Sequence, residues 1–186
     1  MTRLLQELKT RARLRLNAHR RAALAAGNPG AADDPRLRDC LHAVSREAGF
    51  AHWEHARHVL GGQAGAGDDQ GTFWYAPGCA GLLTPWFARH DEARQAMQQG
   101  SPGVVLPYRR QFVLAGPDFL AELGLDADSS LWADAGFDLV RSAGSSTWEA
   151  LAWQRLRAIG ASLPGQAAPR PAPSTTAVPA RRGSPR

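Results

Sequence analysis

Apolar residues open the chain at four-residue intervals: Leu4, Leu8, Ala12 and Leu16, with Leu5 and Ala23 beside them. That stripe predicts an amphipathic helix from about Thr2 to Ala25, ended by Asn28-Pro29-Gly30. A second helix is predicted from Asp34 as N-cap and Pro35 as first helical residue, with Leu37, Cys40, Leu41, Val44 and Ala48 on its inner face. Gly49 follows its last turn, where a left-handed cap favours a residue without a Cβ, and Phe50 supplies the accompanying apolar contact. A short third helix, about Ala51 to Leu60, would bury Trp53, Ala56 and Leu60. The glycines between Gly61 and Gly71 read as a linker.

Beyond the linker the period changes. Thr72-Phe73-Trp74-Tyr75 has the composition of a strand, and a Pro/Gly turn leads to an expected helix from about Leu82 to Gln98. Val104, Leu106, Tyr108, Phe112 and Leu114 alternate through residues 103–115 and predict β structure, with Pro107 calling for a bulge, an edge position or two short strands. Helical patterns resume between Pro117 and Gly124 and from Ser130 to Ser142. The last begins at Ser146, where Glu149 completes a capping box and Trp148, Leu151, Ala152, Leu156 and Ile159 form the buried stripe. The expected class is α+β, predominantly helical. It comprises a three-helix module (1–61), a Gly-rich linker (62–71), a small β-α-β body with C-terminal helices (72–163), and a basic Pro-rich tail (164–186). Six Pro among Ala, Ser, Thr and Arg leave that tail too little apolar surface to offset ordering entropy, so it is expected to be disordered.

Composition narrows the class. The chain has 186 residues, a hydrophobic fraction of 44% and six Trp, enough for a core. No apolar run approaches the roughly 18 residues of a membrane span, and no secretory signal is legible, so a soluble cytoplasmic protein is expected. Two Cys, 40 and 79, do not make a disulfide framework. The net charge of +5 hides an asymmetry: +6 over residues 1–21, +4 over 164–186, and hence −5 between them. A basic head on an acidic body points to docking of one on the other, or to an anionic partner for the basic ends.

Ser45-Arg46-Glu47-Ala48-Gly49-Phe50-Ala51-His52-Trp53 resembles the helical module, with an A-R-E-x-G-F-x-x-W core, of bacterial glyoxalase-related and ankyrin-associated proteins. There too a basic Ala/Leu-rich helix precedes the motif, and the likeness covers residues 4–60. With Gly-Thr-Phe-Trp-Tyr-Ala-Pro (71–77) and Leu-Pro-Tyr-Arg-Arg-Gln-Phe-Val (106–113), the chain is also similar to an uncharacterised family of small proteobacterial proteins. Ser45 replaces the usual Ala. The resemblance implies a fold and no catalytic residues.

Candidate chemistry is sparse. Cys79, between Gly78 and Gly81, would lie near a helix N-terminus, where a thiolate is stabilised, with His90 as the nearest base. On a continuous helix, however, His90 would lie about 16 Å down the axis. Its apolar neighbours make Cys79 an inert thiol in expectation. His52 and His55 recur at i, i+3 beside Glu54, a poor match to the i, i+4 pair of helical zinc sites, so surface histidines are the expected reading. Arg109 and Arg110 offer forked donors for phosphate or carboxylate, but adjacent strand positions face opposite ways. Arg11, Arg13 and Arg15 could meet phosphates through the first helix, although no nucleic-acid-binding motif accompanies them. No cofactor fingerprint is present. The expectation is a non-enzymatic interaction or regulatory protein whose partner is another protein. The alternatives are an enzyme using Cys79 or an Arg-lined pocket, and weak nucleic-acid binding through the basic termini.

Overall fold

A computed structural model describes residues 2–27 and 35–162. The expected disordered tail, and Asp34 as a helix cap, lie outside the described residues. The order is α1 (Arg3–Ala25), α2 (Leu37–Glu47), α3 (Trp53–Leu60), a 3₁₀ turn (Pro77–Gly81), β1 (Trp86–Phe87), α4 (His90–Gln98), β2 (Val104–Tyr108), β3 (Gln111–Ala115), α5 (Pro117–Glu122), α6 (Leu131–Asp134) and α7 (Ser146–Ser162). The chain is α+β and mostly helical, with one small antiparallel sheet in the order β1-β3-β2.

The first three helices form where the apolar periods place them. Leu4, Leu5, Leu8, Ala12 and Leu16 of α1 are buried, and α1 packs on α2, α3 and α7. The helix α2 opens at Leu37, two residues after Pro35, and the Asp39 carboxylate accepts the Arg36 N–H at 2.9 Å. Gly49 adopts φ 92°, and a Cβ there would lie 2.8 Å from the backbone of Thr72 and Phe73. The cap that ends α2 is thus also a seat for the body: Thr72 N–H donates to Gly49 O at 2.7 Å.

Three expected elements are corrected. Residues 72–75 form a turn, not a strand. Tyr75 N–H donates to Thr72 O at 3.0 Å, the bond that closes a turn, and Phe73 and Trp74 are both buried. The expected helix 82–98 starts only at His90, because Pro85 disfavours helical geometry at Thr84, and Trp86-Phe87 pair with Val113-Phe112 as β1. The expected helix 130–142 is reduced to Leu131–Asp134. Gly136 and Phe137, at φ 62° and 55°, turn the chain so that residues 137–139 run beside β2; Val105 N–H donates to Phe137 O and Leu139 N–H to Val105 O. Residues 103–115 are two strands, with Tyr108 opposite Gln111 and Pro107 on an outer strand.

At the start of α7 the capping residue is Ser145, whose Oγ accepts the Trp148 N–H at 3.1 Å. Glu149 does not close a capping box. Its carboxylate accepts the Arg3 N–H at 2.9 Å and so ties α7 to the beginning of α1. One core spans the chain, joining Leu8, Val44, Phe50 and Trp53 to Phe73, Trp74, Leu123, Trp132, Trp148 and Leu151. The Gly-rich segment between them is hydrogen-bonded through Asp68, Asp69 and Gln70, and it buries Ala64. A second, smaller cluster of Ala93, Val105, Phe112 and Leu114 joins α4 to the sheet.

Candidate functional site

The sequence candidates Cys79 and His90 have different partners. Cys79 is buried on the 3₁₀ turn, its N–H bonded to Ala76 O. Burial pushes its thiol pKa up; the Glu122 carboxylate adds to this, while the backbone contact with Ala76 and the Arg155 charge pull the other way. His90 is not among these groups. Both Cys79 and Cys40 are free and buried.

Arg155, which sequence reasoning missed, occupies the centre of this region. Its guanidinium donates through Nε to Phe73 O (2.9 Å), Nη1 to Leu123 O (3.0 Å) and Nη2 to Tyr75 O (2.7 Å). Burial lowers its pKa to about 10, so it stays charged at neutral pH. The signal was available: Arg155 falls four residues after Leu151, inside the buried stripe of α7. Its three carbonyl partners come from the 73–75 turn and the end of α5, so its evident work is to join those segments to α7.

His90, at the first turn of α4, meets Asp138. Its Nε2 lies 3.0 and 2.9 Å from the two carboxylate oxygens, and its ring packs 5.3 Å from Phe112. Asp138 is buried and also accepts Val140 N–H and Arg141 N–H at 3.0 and 3.1 Å, with Arg94 Nε at 3.6 Å. Asp138, but not His90, lines a cleft of about 390 Å³ together with Asp134, Arg94, Arg141, Ser142, Ser145 and Thr147. Ser142 donates to Asp138 O and Ser145 caps α7, so two of its three hydroxyls serve the backbone. An imidazole and a carboxylate are in place without an evident nucleophile between them.

The histidines of the α2–α3 corner are caps. His52 Nδ1 accepts His55 N–H, His55 Nδ1 accepts Ala51 N–H, and His42 Nδ1 accepts Trp53 N–H, each at 3.2 Å. A neutral imidazole that accepts at Nδ1 carries its proton on Nε2, and His55 Nε2 donates to Asp69 O at 2.7 Å. No group of three His, Cys, Asp or Glu suited to a metal ion occurs among the described residues.

Arg109 and Arg110 form the turn between β2 and β3 and are exposed. Arg109 is held at φ 52° by two backbone bonds, its N–H to Gly71 O (2.7 Å) and its O from Gln70 N–H (2.8 Å). Its guanidinium lies 5.6 Å from the Tyr108 ring. Tyr108 in turn contacts Tyr75 and Trp86, at 5.0 and 5.3 Å between ring centroids.

The three arginines of α1 divide. Arg11 bonds to Glu7 and to Leu156 O, and Arg15 pairs with Glu47, so both are committed to the fold. Arg13 is exposed. After Leu16 no residue of α1 is buried. This outer half carries Arg20, Arg21 and Leu24, and Leu14 is exposed just before it; neither Leu14, Leu24 nor the two arginines was singled out from the sequence.

An opposite surface was also missed. Residues 111–140 contain no Lys or Arg. Asp118, Glu122, Asp126, Asp128 and Asp134 are exposed there and make no ion pair among the described residues, while Asp138 is hydrogen-bonded to His90 and lies 3.6 Å from Arg94. Phe137, 45% exposed, lies three residues from Asp134.

The chain matches no known family model, no curated protein and no solved structure. No helix among the described residues is long and apolar enough to cross a membrane.

Proposed function

We propose that this chain is an interaction protein that works by docking rather than by catalysis. One observation carries the reading: α1 continues from Asn17 to Ala25 without a single buried residue, presenting Leu14 and Leu24 with Arg13, Arg20 and Arg21. Exposed leucines beside arginines suit a protein partner, with an apolar anchor and a charged rim. The suppressed acidity of Cys79 and the structural duties of Arg155 and of the histidine caps support the absence of chemistry at those groups. The likeness of residues 45–53 to a portable helical module agrees with it. The test is a photocrosslinking side chain placed at Leu24 or, as a control on the buried half of the same helix, at exposed Gln6, in cells that express the protein. Adducts of discrete mass from position 24 and none from position 6 are expected. No adduct from position 24 would remove the reading.

A second reading rests on the Arg94–Arg141 cleft beside Asp138, a pair of arginines that the sequence did not single out. Two guanidinium groups and a hydroxyl suit a small phosphate or carboxylate ligand. Perturbation of the Arg94 and Arg141 side-chain resonances by phosphate at millimolar concentration would support it. Resonances unchanged in phosphate would dismiss it.

A further inference from the structure

Among the described residues, a basic helix face and a run of exposed acids do not pair with each other. On the outer half of α1, Arg13, Arg20 and Arg21 make no ion pair among the described residues, and no acid lies on α1 after Glu7. On the α5–α6 side, five exposed carboxylates likewise lack a cation. Each also exposes apolar groups, Leu14 and Leu24 on the helix and Phe137 three residues after Asp134. Phe137 is held outward at φ 55° by the turn that lays residues 137–139 along β2, a conformation rare for a residue with a Cβ. A helix that ends free of the core cannot fold back on these acids without breaking α1, so α1 and these acids do not meet within one copy.

We propose that the outer half of α1 of one copy docks on the acidic segment of a second copy, with Leu24 against Phe137 and Arg13, Arg20 and Arg21 against Asp126, Asp128 and Asp134. The inference rests on reading α1 as a docking element and names its partner. Exchange of the helix in both directions closes the pair as a two-fold dimer, the commonest symmetry for a soluble oligomer. Nine residues of helix extend about 13 Å, enough to lay more than two turns on a neighbouring surface. The exposed leucines favour this partner over a nucleic acid, whose phosphates would use the arginines alone. The net charge of +5 opposes association at long range, but within a Debye length of about 8–10 Å the apposed patches dominate.

The test is sedimentation of the full chain over a range of concentrations, with two charge-reversed variants. One carries Arg13→Glu, Arg20→Glu and Arg21→Glu; the other carries Asp126→Lys, Asp128→Lys and Asp134→Lys. Wild type is expected to dimerise. Each variant alone should associate at least about tenfold more weakly, since it opposes like charges. Mixed one to one, the two variants should recover a heterodimer, because each reversed helix then meets a reversed face. Recovery cannot come from misfolded chains, and circular dichroism of each variant checks this separately. A wild type that stays monomeric, or a dimer indifferent to both reversals, overturns the proposal. So does a mixture that fails to recover although both variants are folded. Adducts from position 24 to a different protein, with wild type monomeric, would keep the docking reading and discard the second copy. Retention of single-stranded DNA by wild type but not by the helix variant, with no dimer, would assign the helix to nucleic acid instead.

Discussion

At the scale of single residues, the groups that attract attention for chemistry are those the fold has already used. Arg155 satisfies three main-chain carbonyls at once, which the planar fork of a guanidinium can do and a single ammonium cannot. Arg155→Lys should therefore cost about 2–4 kcal/mol in a denaturant titration, because bonds from a charged donor are worth about 1.5–3 kcal/mol and the abandoned carbonyls remain buried. A loss below about 1 kcal/mol would mean that water reaches them. Cys79 illustrates the same economy. Its thiol is raised by burial, so the native state holds the proton more tightly than the unfolded chain does. Stability from this source is present at neutral pH and declines as pH climbs past the unfolded thiol value. Alkylation of native protein by iodoacetamide, with Cys79→Ser to separate it from Cys40, should show a midpoint above the usual thiol range. Rapid modification near neutral pH would instead make Cys79 a nucleophile and revive the enzyme alternative. Arg109 is different, since its left-handed backbone is a cost the hairpin bears. Arg109→Gly should stabilise the protein by up to about 1 kcal/mol, net of the lost contact with Tyr108. A destabilised variant would show that the ring contact outweighs the backbone strain.

At the scale of elements, the long periodic segments were legible and the short ones were not. The first three helices and α7 follow from their apolar spacing, because each buries one stripe, whereas the hairpin strands bury both faces, Val104 and Leu106 in the main core and Phe112 and Leu114 in the second cluster. The 72–75 segment misled because the bulky residues that suit a strand also suit a buried turn. The stretch after Leu82 misled because apolar content hid the directive of a single proline, and 130–142 because the pull of β2 on residues 137–139 is invisible locally. The candidate site suffered for the same reason. His90 could be named, but with α4 drawn eight residues too early its partner Asp138, 48 positions away, could not. The outer half of α1 yields its own prediction. Ala22→Pro should reduce helicity yet change global stability by less than about 1 kcal/mol, because the turns it disrupts bury no residue and can open alone. A larger loss in a thermal melt would show that this half of α1 supports the core.

At the scale of the whole molecule, the three-helix segment and the rest of the chain are joined by more than a linker. Leu4, Leu8 and Leu60 share a core with Phe73, Trp148 and Leu151, Glu149 holds the first residue of α1, and Gly49 seats Thr72. A segment of about 60 residues buries too small a share of its surface to be robust even when self-contained. Residues 1–61 would also expose the face that α7 and the 72–75 turn now cover. Expressed alone, this fragment should lack a cooperative thermal transition and bind a dye for exposed apolar surface, while the full chain unfolds in one step. The comparison must use the whole chain at equal concentration, because association of copies would itself raise the midpoint. A sigmoidal melt of residues 1–61, with the near-ultraviolet signal of a fixed Trp53, would show that the helical segment is an autonomous domain. In that case its shared core with the body is an interface between two folding units, and removing α7 should leave Trp53 as ordered as before.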